Sequence, residues 1–193
     1  MSNELGDLIR AANPQMALNI YQQSGSPDKV IQGLIETGQL DKIMPYCQQQ
    51  NYNPDFVAIL RQIMPVNPQA AVNLAKMVTN RDQGPPKANI DQVTQTFLEF
   101  NRIQECTAFL LEALKSNRPD EGHLQTKVFE INLMSAPNVA EGIFKLNIFS
   151  QYDRERVAKM CESVGLYGRA LQNYSSMSDI KRVILNTHAI PED

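Results

Sequence analysis

The residue types that most often support catalysis or metal binding are few in this chain and lie far apart. There are two histidines, His123 and His188, the first beyond the middle of the chain and the second near its end. The three cysteines, Cys47, Cys106 and Cys161, fall about one in each third of the sequence and form no C-x-x-C pair. Zinc sites draw clustered thiolates and imidazoles from short spacings. The spacing therefore predicts surface or helix-end histidines, core cysteines and no metal site.

Acidic pairs and nucleotide-binding motifs offer no better candidate for a catalytic site. The sequence lacks the G-x-x-x-x-G-K-[ST], G-x-G-x-x-G and G-x-S-x-G motifs that bind phosphates or present a nucleophile. The carboxylate pairs Asp120-Glu121 and Glu192-Asp193 fall at a turn and at the terminus, where we expect helix-start charges that face water. We therefore expect no catalytic residue, no cofactor and no enzymatic activity.

Methionines and one charged segment could mark a binding surface, because methionine-rich surfaces adapt to many partners. Five of the eight methionines fall in the apolar stripes of predicted helices, which favours core filling: Met44, Met64, Met77, Met134 and Met160. The segment 152–159, YDRERVAK, is rich in charge. A helix cap at Asp153 followed by a solvated first turn is its simpler interpretation.

The composition favours a helical protein of a reducing compartment. Hydrophobic residues make up 42% and aromatic residues only 7%, so the core must consist mostly of aliphatic side chains, which suits helix packing. An odd number of cysteines without pairs is typical of a cytoplasmic chain. No secretory signal begins the sequence, and no apolar run approaches the ~20 residues of a membrane span. We therefore expect a cytoplasmic location without direct membrane insertion.

The charge distribution argues against nucleic acid as a partner. The net charge is −3, from 18 basic and 21 acidic residues that are spread along the chain. Binding to a phosphate backbone requires a stripe of Lys and Arg, and an anionic membrane surface attracts the same feature. The sequence forms no such stripe.

Three segments repeat a helix start built on proline, at Pro14, Pro68 and Pro137. Proline is tolerated in the first turn because its missing N–H would have no partner there. Asn13 and Asn67 precede two of these prolines and are favourable N-caps. The same register holds a small residue for close helix approach and an aliphatic residue for the core: Ala17 and Ile20, Ala71 and Leu74, Ala140 and Ile143.

A second set of helix starts alternates with the first and follows Gly38, Asn101 and Gly165. Gly or Asn at these positions ends the preceding helix in a left-handed conformation. Apolar residues then recur at helical spacing, as in the stretch 40–47. Partner helices lie between these starts and are predicted to begin at Ser26-Pro27, Asn53-Pro54 and Asp91, after Pro119, and at Asp153 and Ser178.

These patterns predict an all-α fold in which residues 1–193 form a single α-solenoid segment. It comprises about six stacked antiparallel helical hairpins and is truncated at both ends, so that residues 1–9 form the last helix of a preceding hairpin. Each hairpin buries its apolar face on the next, as in a tetratricopeptide-like superhelix, although the period varies and the tetratricopeptide aromatic signature is missing. A helix spacing of roughly 8–10 Å predicts a rod on the order of 50–60 Å long. Its radius of gyration would exceed the ~16 Å of a compact domain.

Long stretches of the chain resemble the clathrin heavy chain family. They are ELGDLIRAANPQMALNIYQQSGSPDKVIQGLIETGQLDKI from Glu4, NRIQECTAFLLEALKSNRPDEGHLQTKVFEINLMSAPNVAEGIF from Asn101, YDRERVAKMCESVGLYGRALQNY from Tyr152 and DIKRVILNTHAI from Asp179. The resemblance covers nearly the whole chain, and its specificity comes from length and collinearity rather than from a catalytic motif. It weakens over 145–150 and at RDQGPPKAN, 81–89, which we interpret as a variable loop.

The resemblance implies a leg segment that follows the propeller and its helical linker, toward the ankle and distal leg. It also implies an excised piece of a longer chain, with Met1 as an added start. Clathrin heavy chains trimerise and polymerise into the lattice around budding vesicles in endocytosis and intracellular vesicle transport. The implied function is a structural segment of this membrane coat, at the cytoplasmic face of coated pits and coated vesicles.

The implied partners are other heavy chain legs in the lattice, with adaptor or accessory proteins as further partners, while the isolated segment is expected to be monomeric. The alternative is another helical-repeat interaction scaffold, either a peptide-binding protein or a vesicle-tethering subunit. A peptide-binding protein would line its concave face with convergent polar or aromatic anchors, whereas a spacer would not. An enzyme would need a well-formed pocket with two titratable groups within hydrogen-bond reach.

Overall fold

The computed structural model describes residues 3–82 and 84–187, and within them the fold is all-α with no strand, as predicted. The helices of the first part are α1 Asn3–Ile9, α2 Pro14–Ser24, α3 Pro27–Glu36, α4 Ile43–Gln49, α5 Phe56–Ile63, α6 Pro68–Thr79 and α7 Ile90–Glu99. Those of the second part are α8 Ile103–Ala113, α9 Gly122–Ser135, α10 Pro137–Leu146, α11 Arg154–Ser163, α12 Tyr167–Asn173 and α13 Met177–Thr187. Short 3-10 turns, Leu40–Lys42 and Pro119–Glu121, lead into α4 and α9.

The helices group into two compact units, one ending at Phe100 and the other beginning at Asn101. In the first unit, α2 packs against α1 and α3, and α5 packs against α6 and α7. In the second unit, α9 packs against α8, α10 and α11, and α12 packs against α11 and α13. Each unit is therefore built from contacts between helices that are one or two places apart in the chain, as stacked hairpins require.

The proline-started helices begin where the sequence predicts. Pro14, Pro68 and Pro137 are the first residues of α2, α6 and α10. The side chain of Asn13 accepts a hydrogen bond from the Met16 N–H at 3.0 Å, and Asn67 makes the equivalent bond with the Ala70 N–H. The two asparagine caps are thus confirmed.

The predicted left-handed helix ends are also confirmed. Gly38, Asn101 and Gly165 have φ angles of 71°, 54° and 81°. A residue with a Cβ atom is strained in this region, and Asn tolerates it better than most residues because of its short polar side chain. These three positions therefore reverse the chain between helices.

Two predicted helix starts differ in detail from the structure. The cap of α5 is Asp55, which accepts a hydrogen bond from the Ala58 N–H at 3.0 Å, so the prediction that the helix opens at Asn53-Pro54 is wrong by one short turn. Ser26 precedes α3, but its hydroxyl bonds the Asn3 side chain instead of capping the helix. A polar residue followed by proline marks the helix start only approximately, because side chains nearby compete for the same role.

The small residues of the repeat lie in the core, as predicted. Ala17, Ala71 and Ala140 expose 1%, 0% and 0% of their surface. A still closer approach occurs at Gly6, where a Cβ atom would lie 2.4 Å from a ring carbon of Tyr21. The absence of a side chain at Gly6 therefore allows α1 to lie directly on α2.

The methionine prediction is only partly confirmed. Met44 and Met64 are buried and Met160 is half-buried, but Met77 and Met134 expose 51% and 79% of their surface. Helix α6 buries a stripe through positions 71, 74, 75 and 78, and position 77 lies off that stripe. Met134 lies in the last turn of α9, where the following residue, Ser135, is also exposed. Core filling is therefore the wrong interpretation for Met77 and Met134.

Candidate functional site

The three cysteines lie on three different helices, α4, α8 and α11, and none exposes any surface. Burial raises the pKa of the Cys106 thiol to about 12 and that of Cys161 to about 11, and it also raises the pKa of Cys47. Nucleophilic and metal-binding cysteines act as thiolates, which these environments disfavour. The cysteines therefore pack as small apolar residues, as the sequence predicts.

The other residues that could do chemistry are dispersed. His123 is exposed in the first turn of α9, while His188 and the pair Glu192-Asp193 lie outside the described residues. Within residues 3–82 and 84–187, no group of three or more His, Cys, Asp or Glu side chains is placed to hold a metal ion. In the same ranges, every helix is too short or too polar to cross a bilayer.

One of the acidic predictions is wrong. Asp120 faces water, but Glu121 exposes only 3% of its surface. Glu121 ends the 3-10 turn Pro119–Glu121, and the chain passes from that turn directly into α9. Glu121 is therefore a buried carboxyl group at the junction of the turn and α9, and not a charge that faces water.

The most regular polar feature is a set of ion pairs that join helices two places apart, which we call the rung pairs. In a stack of antiparallel hairpins, such helices are neighbours in the same layer. The rung pairs of the first unit are Asp7–Lys29, Arg10–Glu36 and Arg61–Glu99, and those of the second unit are Glu130–Arg156, Glu141–Arg169 and Glu162–Arg182. They connect α1 or the residue after it with α3, α5 with α7, α9 with α11, α10 with α12, and α11 with α13.

Two rung pairs of the second unit are double hydrogen bonds. The Arg169 guanidinium donates to both carboxylate oxygens of Glu141, at 2.9 Å and 2.6 Å. Arg182 likewise donates to both oxygens of Glu162. A planar guanidinium matches a carboxylate in this way, so the pair fixes orientation as well as distance. The rung pairs therefore resist sliding of one helix along the next helix of its layer.

Three of the rung pairs lower the pKa values of their carboxyl groups. Hydrogen bonding to Arg169 lowers the pKa of Glu141, and hydrogen bonding to Arg182 lowers that of Glu162. Hydrogen bonds from Lys29 and Tyr21 lower the pKa of Asp7. Each carboxylate is thus held in its charged form, although the partial exposure of these pairs keeps the individual stabilisation modest.

The rung pairs are not evident from the sequence. Their partners lie 20 to 38 residues apart, at a distance that no local helix rule covers. A search for opposite charges at the spacing of one hairpin would have found candidates once the repeats had been aligned.

An open groove of about 560 Å³ lies between α9 and α11 and contains Met134 and Met160. Its charged lining residues are already paired with one another or with the backbone. Glu130 pairs with Arg156, and Glu155 pairs with Lys159. Asp153 caps α11 by accepting from the Arg156 N–H at 3.0 Å. The lining therefore lacks the convergent polar anchors of a peptide-reading surface.

Comparison with known proteins matches the chain to one family. A family model described as "Clathrin: Region in Clathrin and VPS" matches residues 83–192. The clathrin heavy chain of Drosophila melanogaster is 47% identical over 189 residues, and clathrin heavy chain 2 of Homo sapiens is 43% identical over 189 residues. The probable clathrin heavy chain of Schizosaccharomyces pombe is 40% identical over 186 residues. These alignments cover 96–98% of this chain but only 11% of each relative, so the chain spans about a tenth of their length.

Proposed function

The chain belongs to the clathrin-repeat family, and from this premise we propose that it is a structural segment of a clathrin heavy chain leg. In this role it holds the two ends of the leg at a set spacing within the vesicle coat. The observation that carries the proposal is the set of rung pairs, which tie helices of the same layer in each unit. Identity of 40–47% to clathrin heavy chains over almost the whole chain supports it.

The stiffness of such a segment comes from two kinds of contact. Aliphatic side chains hide the apolar face of each hairpin, and the free energy of this burial is roughly proportional to the area removed from water. Apolar contacts are non-directional, however, and allow one helix to slide along another. The rung pairs add a directional constraint wherever they join two helices of a layer.

The proposal includes the absence of enzymatic activity and of a cofactor. It rests on the function that the family resemblance implies and on the state of the reactive groups that the structure describes. The thiols of Cys106 and Cys161 are held protonated by burial, and the charged groups around the α9–α11 groove bond one another. Neither arrangement presents an activated nucleophile to a substrate.

The partners and location of the segment follow from the same proposal. Other clathrin heavy chain legs are the expected partners in the lattice, and adaptor or accessory proteins are the expected further partners. The place of action is the cytoplasmic face of coated pits and coated vesicles. The isolated segment is expected to be monomeric, to bind no nucleic acid and not to insert into a membrane.

The single array of about six hairpins over 1–193 is likewise a proposal. It rests on the alternating sequence repeats that begin at Pro14 and Gly38 and recur to the end of the chain. Small-angle scattering tests it, because a radius of gyration near the ~16 Å of a compact domain would contradict it.

A chimera tests the leg function. The aligned segment of the Drosophila melanogaster clathrin heavy chain is replaced by this chain, and the purified chimera is assembled into cages and examined by electron microscopy. Closed cages are the expected result. The same chimera with Ala71→Arg should fail to assemble, whereas Gln69→Arg, an exposed position on the same helix, should not interfere.

The alternative function is a vesicle-tethering subunit, since the matched family is not confined to clathrin and its description also names VPS. A chimera whose circular dichroism shows a folded helical segment but which forms no cages would contradict the leg function and favour this alternative.

A further inference from the structure

Helix α9 buries an unusual number of polar side chains for a helix in a protein core. Gln125, Thr126, Glu130 and Asn132 expose 0%, 6%, 9% and 2% of their surface. Asn132 donates to the Thr107 hydroxyl on α8 at 2.9 Å, and Glu130 pairs with Arg156 on α11. Buried polar groups of this kind allow few alternative arrangements of the helices. A group that loses its partner remains away from water without a hydrogen bond, which is energetically costly.

The remaining two polar residues of α9 hold a segment that we call the strap, residues 147–153, which connects α10 to α11. Three backbone N–H groups of the strap donate to side chains of other elements. They are Ser150 N–H to Asn117 Oδ1 at 3.0 Å, Gln151 N–H to Gln125 Oε1 at 2.9 Å, and Asp153 N–H to Thr126 Oγ1 at 2.9 Å. Gln125 also donates to Asn117 Oδ1 at 2.9 Å, so the acceptors are linked to one another.

The strap lies directly on the first turn of α9. A Cβ atom at Gly122 would meet the Gln151 carbonyl oxygen at 2.4 Å, a distance that no ordinary contact allows. Glycine at this position therefore permits the close approach that the three hydrogen bonds need.

Aromatic residues of the strap form a second, apolar attachment. The ring centres of Phe149 and Tyr152 lie 6.2 Å and 4.7 Å from the ring centre of Phe129 on α9. The Tyr152 hydroxyl also donates to Asn173 at the end of α12, at 2.7 Å. We call the ring contacts with Phe129 the aromatic anchor and the three backbone hydrogen bonds the polar clasp. The anchor tolerates rotation, whereas the clasp does not.

We propose that the strap is a conformational latch: its polar clasp fixes α11 at one angle to α9, and opening the clasp lets α11 turn about the aromatic anchor. The latch would locate bending of the leg at one step of the second unit, and that consequence rests on the proposed function. The latch itself is a property of the isolated chain.

Two variants each break one of the three clasp bonds. Asn117→Gly removes the side chain that holds Ser150, and it keeps the backbone relaxed because Asn117 has a φ of 48°. Gln125→Leu removes the acceptor of the Gln151 N–H and fills the same buried space. Asn51→Gly is the matched control, because Asn51 has the same φ of 48° in the other unit.

Amide hydrogen exchange measured by NMR provides the first test. Each clasp variant should accelerate exchange at the strap amide that loses its acceptor by about threefold to tenfold, the range expected for one lost hydrogen bond. The core amides of α8 and α10 should keep their rates, and Asn51→Gly should leave the strap unchanged. Unchanged exchange at Ser150 and Gln151, or equal acceleration throughout α8–α12, would overturn the latch.

Spin labels at the exposed positions Gln104 on α8 and Ser163 on α11 test the change of angle. The distance distribution between the labels should broaden in both clasp variants and stay narrow in the control. If the distribution of label distances does not change while the strap amides exchange faster, the latch is overturned. Both measurements use the chain alone, so their failure is distinguishable from a failure of the chimera to form cages.

Discussion

Arg169 on α12 forms two parallel hydrogen bonds with Glu141 on α10, and its guanidinium carbon lies 5.3 Å from the centre of the Phe144 ring of the same α10 helix. One side chain thus contacts its layer neighbour through both charge and an aromatic face. Guanidinium groups favour this combination because they are planar and weakly hydrated. The contact binds α10 to α12 without involving α11, and it therefore acts on the stacking of hairpins rather than on the folding of one hairpin.

Replacing Glu141 by Gln should destabilise the protein in a pH-dependent way. The pKa of Glu141 is lowered from its ordinary value of 4.5 by Arg169. A carboxyl group whose pKa is lower in the folded state than in the unfolded state stabilises the fold fully at pH values above its unfolded-state pKa. This stabilisation is lost as the pH falls through the folded-state pKa. Urea unfolding at pH 7 should show a loss of at most about 1 kcal/mol, because the pair is partly exposed.

The same comparison in acid should show no difference between Glu141→Gln and the unchanged chain. Glu155→Gln serves as control, because Glu155 pairs with Lys159 within one helix and is more exposed. Its effect at pH 7 should be smaller than that of Glu141→Gln. A Glu141→Gln deficit that persisted unchanged below the folded-state pKa would show that lost packing, not the charge pair, causes it.

The three cysteines should not react rapidly with thiol reagents in the folded protein. Burial raises the pKa of Cys106 to about 12 and of Cys161 to about 11, so the thiolate fraction at pH 8 is very small, and the side chains are also inaccessible. A chromogenic disulfide reagent should detect none of the three thiols rapidly in native buffer and all three in denaturant. Rapid reaction of even one thiol in native buffer would contradict the described packing of its helix.

Local features of the fold could be predicted from the sequence with good detail. The proline-started helices, the asparagine caps at Asn13 and Asn67 and the left-handed turns at Gly38 and Gly165 all depend on residues within one turn of each other. Their physical causes, a missing N–H, a capping oxygen and a missing Cβ, act over a few residues. For that reason a single sequence was sufficient to locate them.

Features that depend on which faces meet could not be predicted in the same way. The exposure of Met77 and Met134 depends on which face of each helix meets a neighbouring helix, and apolar character alone does not specify that face. Gln125 is polar and yet fully buried, because its partners Asn117 and Gln151 come from two other elements. Such pairs need the tertiary arrangement before they can be recognised.

Arginine at Ala71 or Ala140 should be strongly destabilising. Both alanines expose 0% of their surface, and a long charged side chain there would force helices apart or bury an unpaired charge. We expect a loss of about 4 kcal/mol or more, or failure to fold. Gln69→Arg and Asn138→Arg are the controls, because these residues are exposed on the same two helices. A melting temperature unaffected by Ala71→Arg or by Ala140→Arg would contradict the close packing of the corresponding helix.

Asparagine at Ala136 should stabilise the protein. Ala136 precedes the proline of α10 with φ and ψ angles of −154° and 75°, close to the −148° and 86° of Asn13, which caps α2. The backbone of α10 is thus already set for a cap that alanine cannot provide, and a capping side chain contributes about 0.5–2 kcal/mol. Thermal unfolding of Ala136→Asn should therefore occur at a higher temperature.

The reciprocal change, Asn13→Ala, should lower stability by a similar amount, since it removes the bond to the Met16 N–H. Ala136→Ser should stabilise the protein by a similar amount, because serine and asparagine are about equally favourable N-caps. If Ala136→Asn left the unfolding free energy unchanged while Asn13→Ala reduced it, the first N–H groups of α10 would have to be satisfied by water. The starts of α2 and α10 would then share a backbone geometry but differ in how much a capping side chain stabilises them.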